Sequence, residues 1–245
     1  MKKLSIIIPV YNEEATLKQL IEKVINVDLS SVWYTKEIIL INDGSKDRSE
    51  EIIHELIKKH ANINIQYIKN KKNSHKWFSL KEWFRHAEGN VMIVQDADLE
   101  YFPEKDYIPM LKAFEERKVD FIYGSRTLWQ KKFGNRYSSK SFLLWWLLVS
   151  WLTTILSCKR VTDEPTCYKM FDKKLKPYLL LPKENGFERE PAVTMLLLRK
   201  WFSYTEIPIH YFARNFEEGK KINWKDWVKA LWTLIKWRFK KIPKM

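Results

Sequence analysis

Along the first half of the chain, short unbroken apolar runs alternate with stretches whose apolar residues recur every three or four positions. Residues 4–10 (LSIIIPV), 37–41 (EIILI), 63–68 (INIQYI) and the first half of 91–100 (VMIVQDADLE) predict strands, most of them buried on both faces of a sheet. Residues 13–26, 47–60, 77–87 and 104–117 carry the helical period, with Asn12 as the expected N-cap of the first helix. A further strand at 119–123 runs into Gly124, Ser125 and Arg126. Strands alternating with helices of this length imply βαβ units, right-handed crossovers and an α/β, Rossmann-like, mainly parallel sheet flanked by helices. Ligands bind such sheets outside the carboxyl ends of the strands. Four polar clusters, at residues 9–13, 42–45, 96–100 and 124–126, fall at those ends.

The abrupt change from apolar to acidic at VMIVQDADLE concentrates the candidate chemistry. Side chains at i, i+2 and i+4 of an extended chain point to one side, so Asp96, Asp98 and Glu100 are expected to converge in front of the sheet edge. Hard oxygen ligands of this kind suit Mg²⁺ or Mn²⁺, the usual partners of a diphosphate. The same residues also read as a solvated acidic turn before the helix near Pro103, and a lone Asp-x-Asp is too short to decide. Neither G-x-G-x-x-G after the first strand nor G-x-x-x-x-G-K-[ST] is present, so dinucleotide and P-loop readings lack their phosphate-binding device.

The second half differs in kind. Residues 141–158 form 18 positions without a charge, Gly or Pro. As a helix they reach about 27 Å at ~1.5 Å per residue, slightly short of the ~30 Å hydrocarbon thickness. Trp145, Trp146 and Trp151 lie inside this stretch rather than at its ends, which favours a helix in the interface, or one packed partly on the domain, over a span. In residues 223–241, Trp224, Trp227, Val228, Leu231, Trp232, Leu234, Ile235 and Phe239 fall on one arc, with Lys225, Lys229, Lys236 and Lys240 beside it. This pattern fits a membrane-surface helix, and equally a terminal helix packed on the domain. The expected organisation is therefore a catalytic domain over 1–222, including the apolar helix, followed by a basic amphipathic helix in 223–245.

Composition narrows the partners. Among 245 residues, 44 Lys and Arg face 30 Asp and Glu, a net charge of +14, so anionic partners are expected. The 12 Trp accompany aliphatic stripes rather than a nucleic-acid motif, which points to a membrane surface and away from nucleic acid. Two cysteines without ligand spacing make a reducing compartment the default. Lys2 and Lys3 run directly into the first strand rather than into a cleavable apolar leader, so the cytoplasmic face of a membrane is the expected location.

The segments SIIIPVYNEEATL, EIILINDGSKDRS, AEGNVMIVQDADLEYFP, DFIYGSR, VTDEPTCYK and EIPIHYFARNFEEGKKINWKD, in that order, resemble the family 2 glycosyltransferases of the GT-A fold. Within them the likeness is to polyprenyl-phosphate glycosyltransferases of the dolichyl-phosphate mannose synthase type. The resemblance implies nucleotide-sugar contacts by Pro9, Tyr11, Glu13 and Asp43, and a metal and diphosphate site at Asp96 and Asp98 with Glu100 as third ligand. It further implies phosphate contacts by Arg126, Arg136 and Arg214, to which Lys221 is added as a candidate. Asp98, Arg126 and Arg214 are the expected catalytic residues. HKWFSLKEWF stands where relatives often carry a Gly-rich segment, so Trp77 and Trp83 replace small residues near the donor.

The implied reaction is metal-dependent, inverting transfer of a sugar, mannose by analogy, from a nucleotide-sugar such as GDP-mannose or a UDP-sugar to a polyprenyl (dolichyl or undecaprenyl) phosphate. A phosphate monoester has a second pKa of ~6 and is already anionic near neutrality, so such an acceptor needs a cationic clamp rather than a base. A saccharide hydroxyl acceptor would instead require a carboxylate base, with Asp163 or Glu164 as candidate. Two alternatives stay open: a UDP-sugar transferase of glucose or GlcNAc type acting on lipid phosphate or on a saccharide, and a non-catalytic nucleotide-sugar-binding protein that docks on membranes.

Overall fold

The computed structural model describes residues 1–70, 73, 84–214 and 224–243. Seven strands form one sheet: β1 (Lys2–Val10), β2 (Tyr34–Asn42), β3 (Ile65–Lys69), β4 (Val91–Val94), β5 (Phe121–Ser125), β6 (Lys169–Asp172) and β7 (Tyr204–Pro208). Helices α1 (Leu17–Asn26), α2 (Ser49–Lys59), α3 (Pro103–Arg117), α4 (Gln130–Phe133), α5 (Lys140–Ser157), α6 (Lys176–Leu179), α7 (Arg189–Arg199) and α8 (Trp224–Phe239) accompany it. The order across the sheet is β3-β2-β1-β4-β6-β5-β7, parallel throughout except that β6 runs against both β4 and β5.

The apolar runs form strands because both of their faces are covered. Leu4, Ile6, Ile7, Ile8, Ile38, Ile39, Leu40 and Ile93 are completely buried, whereas β3, at the sheet edge, is only partly so. Helix α1 buries Leu17, Leu20, Ile21 and Val24, the i, i+3, i+4, i+7 stripe expected of a helix lying on a sheet. Helix α3 starts at Pro103, whose fixed φ and missing N–H suit a first helical turn. Asn12 does not cap α1. It adopts a left-handed φ of 53° and its side chain accepts a hydrogen bond from the Lys46 N–H (2.8 Å), so the helix begins only at Leu17 after a turn. The helix expected at 77–87 lies outside the described residues except for 84–87, where Phe84 is buried against Phe171.

The reversed strand β6 and the parallel strand β7 each bring a further segment to the rim. Because β6 is antiparallel to its neighbours, the segment leading into it, residues 161–168, arrives at the carboxyl-end rim of the parallel strands. Residues 209–214, downstream of β7, reach the same rim.

Helix α5 is long and apolar enough, by length and composition, to cross a membrane, and 33% of it is buried inside the protein. Its inner face, Phe142, Trp146, Val149, Ser150, Thr153 and Ser157, packs on the domain, while Leu144, Leu147, Leu148, Trp151 and Ile155 stay exposed. Helix α8 packs on α5 and α7 through Trp227, Ala230, Leu234 and Trp237, with Trp227 stacked on Trp145 at 6.3 Å between ring centres. The expected arc on α8 therefore divides: part of it is core, and Val228, Trp232, Ile235 and Phe239 form a separate exposed stripe.

One buried polar knot ties β1, β2 and β4 at their amino-terminal ends. The Glu37 Oε1 accepts from Ser5 Oγ (2.5 Å), the Glu88 N–H (2.8 Å) and the Gly89 N–H (3.1 Å). A Cβ on Gly89 would lie 2.4 Å from Ser5 Oγ and 2.7 Å from the Ser5 nitrogen, so backbone, not only side chains, would have to move. We expect Gly89→Ala to destabilise the fold by on the order of 1–3 kcal/mol in urea unfolding; an unchanged midpoint would show that the knot yields without cost.

Candidate active site

Two loops at the rim are locked face to face. The Asn12 N–H donates to Ser45 Oγ (3.1 Å), the Glu13 N–H to Ser49 Oγ (3.0 Å) and the Glu14 N–H to Asp47 Oδ2 (3.0 Å), while the Arg48 N–H donates to Glu14 Oε2 (2.9 Å). This exchange holds the PVYNEE and NDGSKDRS segments at one place, as β1 and β2 pairing demands, with Pro9 opposite Ile41 in register. Tyr11 is half-buried at the start of the first loop. Asp43 is buried in the second, where its Oδ1 accepts from the Asn70 side-chain amide (2.8 Å). A cleft of about 450 Å³ opens beside them, lined by Asn12, Glu13, Thr16, Lys46 and Arg214 among others.

The acidic segment is not extended as expected. β4 ends at Val94, and Leu99 takes a left-handed φ of 60°, so the alternation that would align Asp96, Asp98 and Glu100 is broken. Glu100 is turned to other partners: its Oε2 accepts from the Tyr211 hydroxyl (2.6 Å) and its Oε1 from the Arg214 N–H (2.9 Å). Among the described residues no ready-made group of three or more His, Cys, Asp or Glu side chains is gathered to hold a metal ion. Asp98, Glu100 and Glu13 instead face a cation supplied by the chain. Arg214 reaches Asp98 Oδ2 (3.2 Å) and Glu13 Oε2 (3.3 Å), and its Nε lies 4.0 Å from Glu100 Oε1. Even so, burial, reinforced by the charges of Glu100 and Asp96, pushes the Asp98 pKa up to about 8. A carboxyl held against ionisation by its acidic neighbours is one that a divalent cation would relieve, and Asp96 and Asp98 are the residues that would hold it. Thr16 joins the two halves of the rim, its hydroxyl contacting both Glu13 Oε2 (3.0 Å) and the Ala97 carbonyl (2.8 Å).

Arg136 and Arg214 are brought together by backbone bridges between Tyr101 and Tyr211 and between Arg136 and Phe212. Arg136 is exposed there, its guanidinium 5.1 Å from the centre of the Phe212 ring. Arg126 is placed differently from the expectation. It is 3% exposed, its Nε and Nη2 paired with Asp163 at 2.8 and 2.7 Å, its Nη1 on the Tyr101 hydroxyl (3.2 Å), and its plane 3.6 Å from the centre of the Trp146 ring. A guanidinium so occupied is held beneath the rim and ties Asp163, Tyr101 and Trp146 together.

The candidate bases Asp163 and Glu164 are fully buried, Asp163 against Arg126 and Glu164 accepting from Thr194 Oγ1 (2.9 Å). Lys221, Trp77 and Trp83 lie outside the described residues. Tyr101 and Tyr211, which contact Arg126 and Glu100, are not singled out in the sequence, and Trp146 reads there only as part of an apolar run whose periodicity marks no inward face.

Removing Asp163 leaves a buried, unpaired guanidinium. Asp163→Ala should therefore cost on the order of 3–5 kcal/mol of stability, whereas Arg136→Ala, at an exposed site, should stay within about 0.5 kcal/mol. Urea denaturation of the two variants checks this, and equal midpoints would refute the bracing role of Arg126.

The geometry can be set beside known proteins. The family model described as glycosyl transferase family 2 matches residues 5–176. Undecaprenyl-phosphate 4-deoxy-4-formamido-L-arabinose transferase of Salmonella choleraesuis (strain SC-B67) is 28% identical over 222 residues, covering 90% of this chain and 63% of that protein. The chain thus spans less than two thirds of the length of the curated relatives it matches. Among solved structures, glucosyl-3-phosphoglycerate synthase from Mycobacterium tuberculosis in complex with uridine-diphosphate superposes with a TM-score of 0.67 at 14% identity, over 99% of this chain and 82% of that one. A mannosyltransferase from Pyrobaculum calidifontis in complex with GDP-Man and Mn²⁺ gives 0.58 at 13% identity, over 84% and 55%. At these identities the structural likeness speaks for the fold, which is GT-A-like. The match to the family model covers well over half of the sequence, and the chain belongs to glycosyl transferase family 2.

Proposed function

We propose that this chain transfers a sugar from a nucleotide-sugar to a polyprenyl phosphate at the cytoplasmic face of a membrane, with inversion at the anomeric centre. The observation that carries the reading is the charge cluster at the rim: Asp98, pressed by the charges of Glu100 and Asp96, shares Arg214 with Glu13. The Salmonella relative is named for an undecaprenyl-phosphate substrate, and solved relatives bind UDP, or GDP-Man with Mn²⁺, which supports the same class of donor and acceptor here. Mg²⁺ or Mn²⁺ on Asp96 and Asp98 would supply Lewis-acid stabilisation of the charge on the departing diphosphate.

The chain's own residues do the rest. The interlocked loops hold Pro9, Tyr11, Glu13 and Asp43 along the donor side. Arg214 neutralises Glu13 and Asp98 before the donor binds and turns its planar fork to phosphate when the donor arrives. Arg136, on the neighbouring bridge, offers a second guanidinium to the acceptor phosphate, and Lys221 is assigned to the same clamp. The acceptor oxygen, already anionic, attacks the anomeric carbon as the bond to the diphosphate breaks, so no general base is needed. The burial of Asp163 and Glu164 agrees with this. The exposed stripes on α5 and α8, with Lys229, Lys236 and Lys240 along α8, give the protein an apolar, basic surface suited to a lipid interface.

Membranes supplied with Mn²⁺ or Mg²⁺ and labelled GDP-mannose, UDP-glucose, UDP-GlcNAc or UDP-4-deoxy-4-formamido-L-arabinose test the proposal, with GDP-mannose the donor expected. Label should enter the lipid phase as a β-linked phosphate sugar from an α-linked donor, and Asp98→Ala should lower the rate by on the order of 10²–10³. No incorporation from any donor, with the variant equal to the parent, would sink the enzymatic reading. Separately, Trp151→Glu combined with Trp232→Glu, at positions 60% and 65% exposed, should leave the fold intact and weaken binding to anionic vesicles by roughly tenfold. Undiminished sedimentation with vesicles would remove α5 and α8 from the membrane contact.

A further inference from the structure

The residue that enters the acidic segment from the sheet is Gln95, a fully buried amide at the end of an apolar strand. Burying an amide costs free energy unless its polar atoms are satisfied, and here both ends are used. Its Oε1 accepts from two hydroxyls, Tyr107 on α3 (2.8 Å) and Tyr168 just before β6 (2.6 Å). Its Nε2 donates to the carbonyl of Asp96 (2.9 Å). Both tyrosines are completely buried, and the Tyr168 ring packs against those of Tyr107 and Tyr101, with centres 5.8 and 4.5 Å apart. Tyr101 in turn receives hydrogen bonds from the Cys167 N–H (3.0 Å) and Arg126 (3.2 Å). The Gln95 amide is thus anchored to two separate parts of the core, α3 and the segment before β6.

Its position explains the anchoring. The Gln95 N–H still bonds to the Ile7 carbonyl (2.9 Å), continuing the contact between β4 and β1. One residue later the chain leaves the sheet, and strand pairing no longer dictates the orientation of the Asp96 peptide. An apolar side chain would fill the same space and would demand nothing of Tyr107 or Tyr168. The amide adds a hydrogen bond to the peptide that carries Asp96 into Ala97 and Asp98.

We propose that Gln95 is a positioning residue for the metal and diphosphate site: it fixes the Asp96 peptide against Tyr107 and Tyr168, and so aims the carboxylates of Asp96 and Asp98 at one cation. This rests on the proposed function, in which these two carboxylates hold the metal. Partners that orient metal ligands are worth about 10- to 100-fold in affinity, so the effect is large enough to measure.

The test is Mn²⁺ binding to the purified full chain in the presence of UDP or GDP, monitored by the electron paramagnetic resonance signal of free Mn²⁺, alongside urea unfolding. Gln95→Met should weaken Mn²⁺ binding about tenfold or more and lower stability, because two tyrosine hydroxyls lose their acceptor. Adding Tyr107→Phe and Tyr168→Phe to Gln95→Met removes those orphaned hydroxyls and should restore stability. Mn²⁺ affinity should stay weak in this triple variant, since the donor to Asp96 is still gone. Should Gln95→Met fail to fold, the triple variant carries the measurement. Recovery of parental Mn²⁺ affinity in the triple variant, or its retention in Gln95→Met, would overturn the positioning role. If the parent binds no Mn²⁺ and matches Asp98→Ala, the metal reading fails, and this inference with it. Binding that Asp98→Ala abolishes and Gln95→Met leaves untouched refutes the inference alone.

Discussion

Everything at the rim depends on β1 having a strand on each side. From Lys2 to Val10 it pairs with β2, and from Leu4 to Ile7 with β4, so its peptide groups are consumed by the ladder and its side chains by the core. A strand so enclosed takes a polar side chain only where a buried partner is built in, as Ser5 has in Glu37, and otherwise carries them where the ladder ends. The polar residues of three neighbouring strands are therefore forced to a common edge, and the loops carrying Glu13, Asp43 and Asp96 meet there. Their interlocking through Asn12, Ser45, Asp47 and Thr16 is a consequence of this crowding.

The parts of the fold legible in the sequence are those governed by local pattern. The apolar runs of β1, β2 and β4 and the stripe of α1 carry their burial in their spacing, and the ordered motifs carry the family likeness. Local pattern does not carry the contacts that the fold makes between distant segments. Asp96, Asp98 and Glu100 have the spacing of a one-sided cluster, but the left-handed turn at Leu99 redirects Glu100 to Tyr211 and Arg214. Arg126 stands at the end of a strand like a ligand contact, yet Asp163, distant in sequence, holds it inside. β6 is a four-residue strand running against its neighbours, too short for an alternation signal.

Two arginines divide the electrostatic work. Arg126 is sealed among Asp163, Tyr101 and Trp146, and so joins α5 to the floor of the site by a contact that solvent ions barely screen. Arg214 is only partly buried, and its partners are the acidic groups of the rim, Glu13 and Asp98. A sealed cation beneath and a partly exposed one above thus serve the floor and the rim separately.

The placement of β6 also bears on how the chain is made. β4 is flanked on one side by β1, which precedes it in the sequence, and on the other by β6, which comes after the whole of α3, β5 and α5. Until residues 169–172 emerge and dock, β4 is an open edge with unpaired peptide groups, the kind of surface that invites association between chains. The acidic loop beyond Gln95 is correspondingly unfinished, because Tyr168 arrives only with that strand. Synthesis thus runs well past the acidic motif before its scaffold closes, and the nascent chain is most exposed to mispairing in that interval.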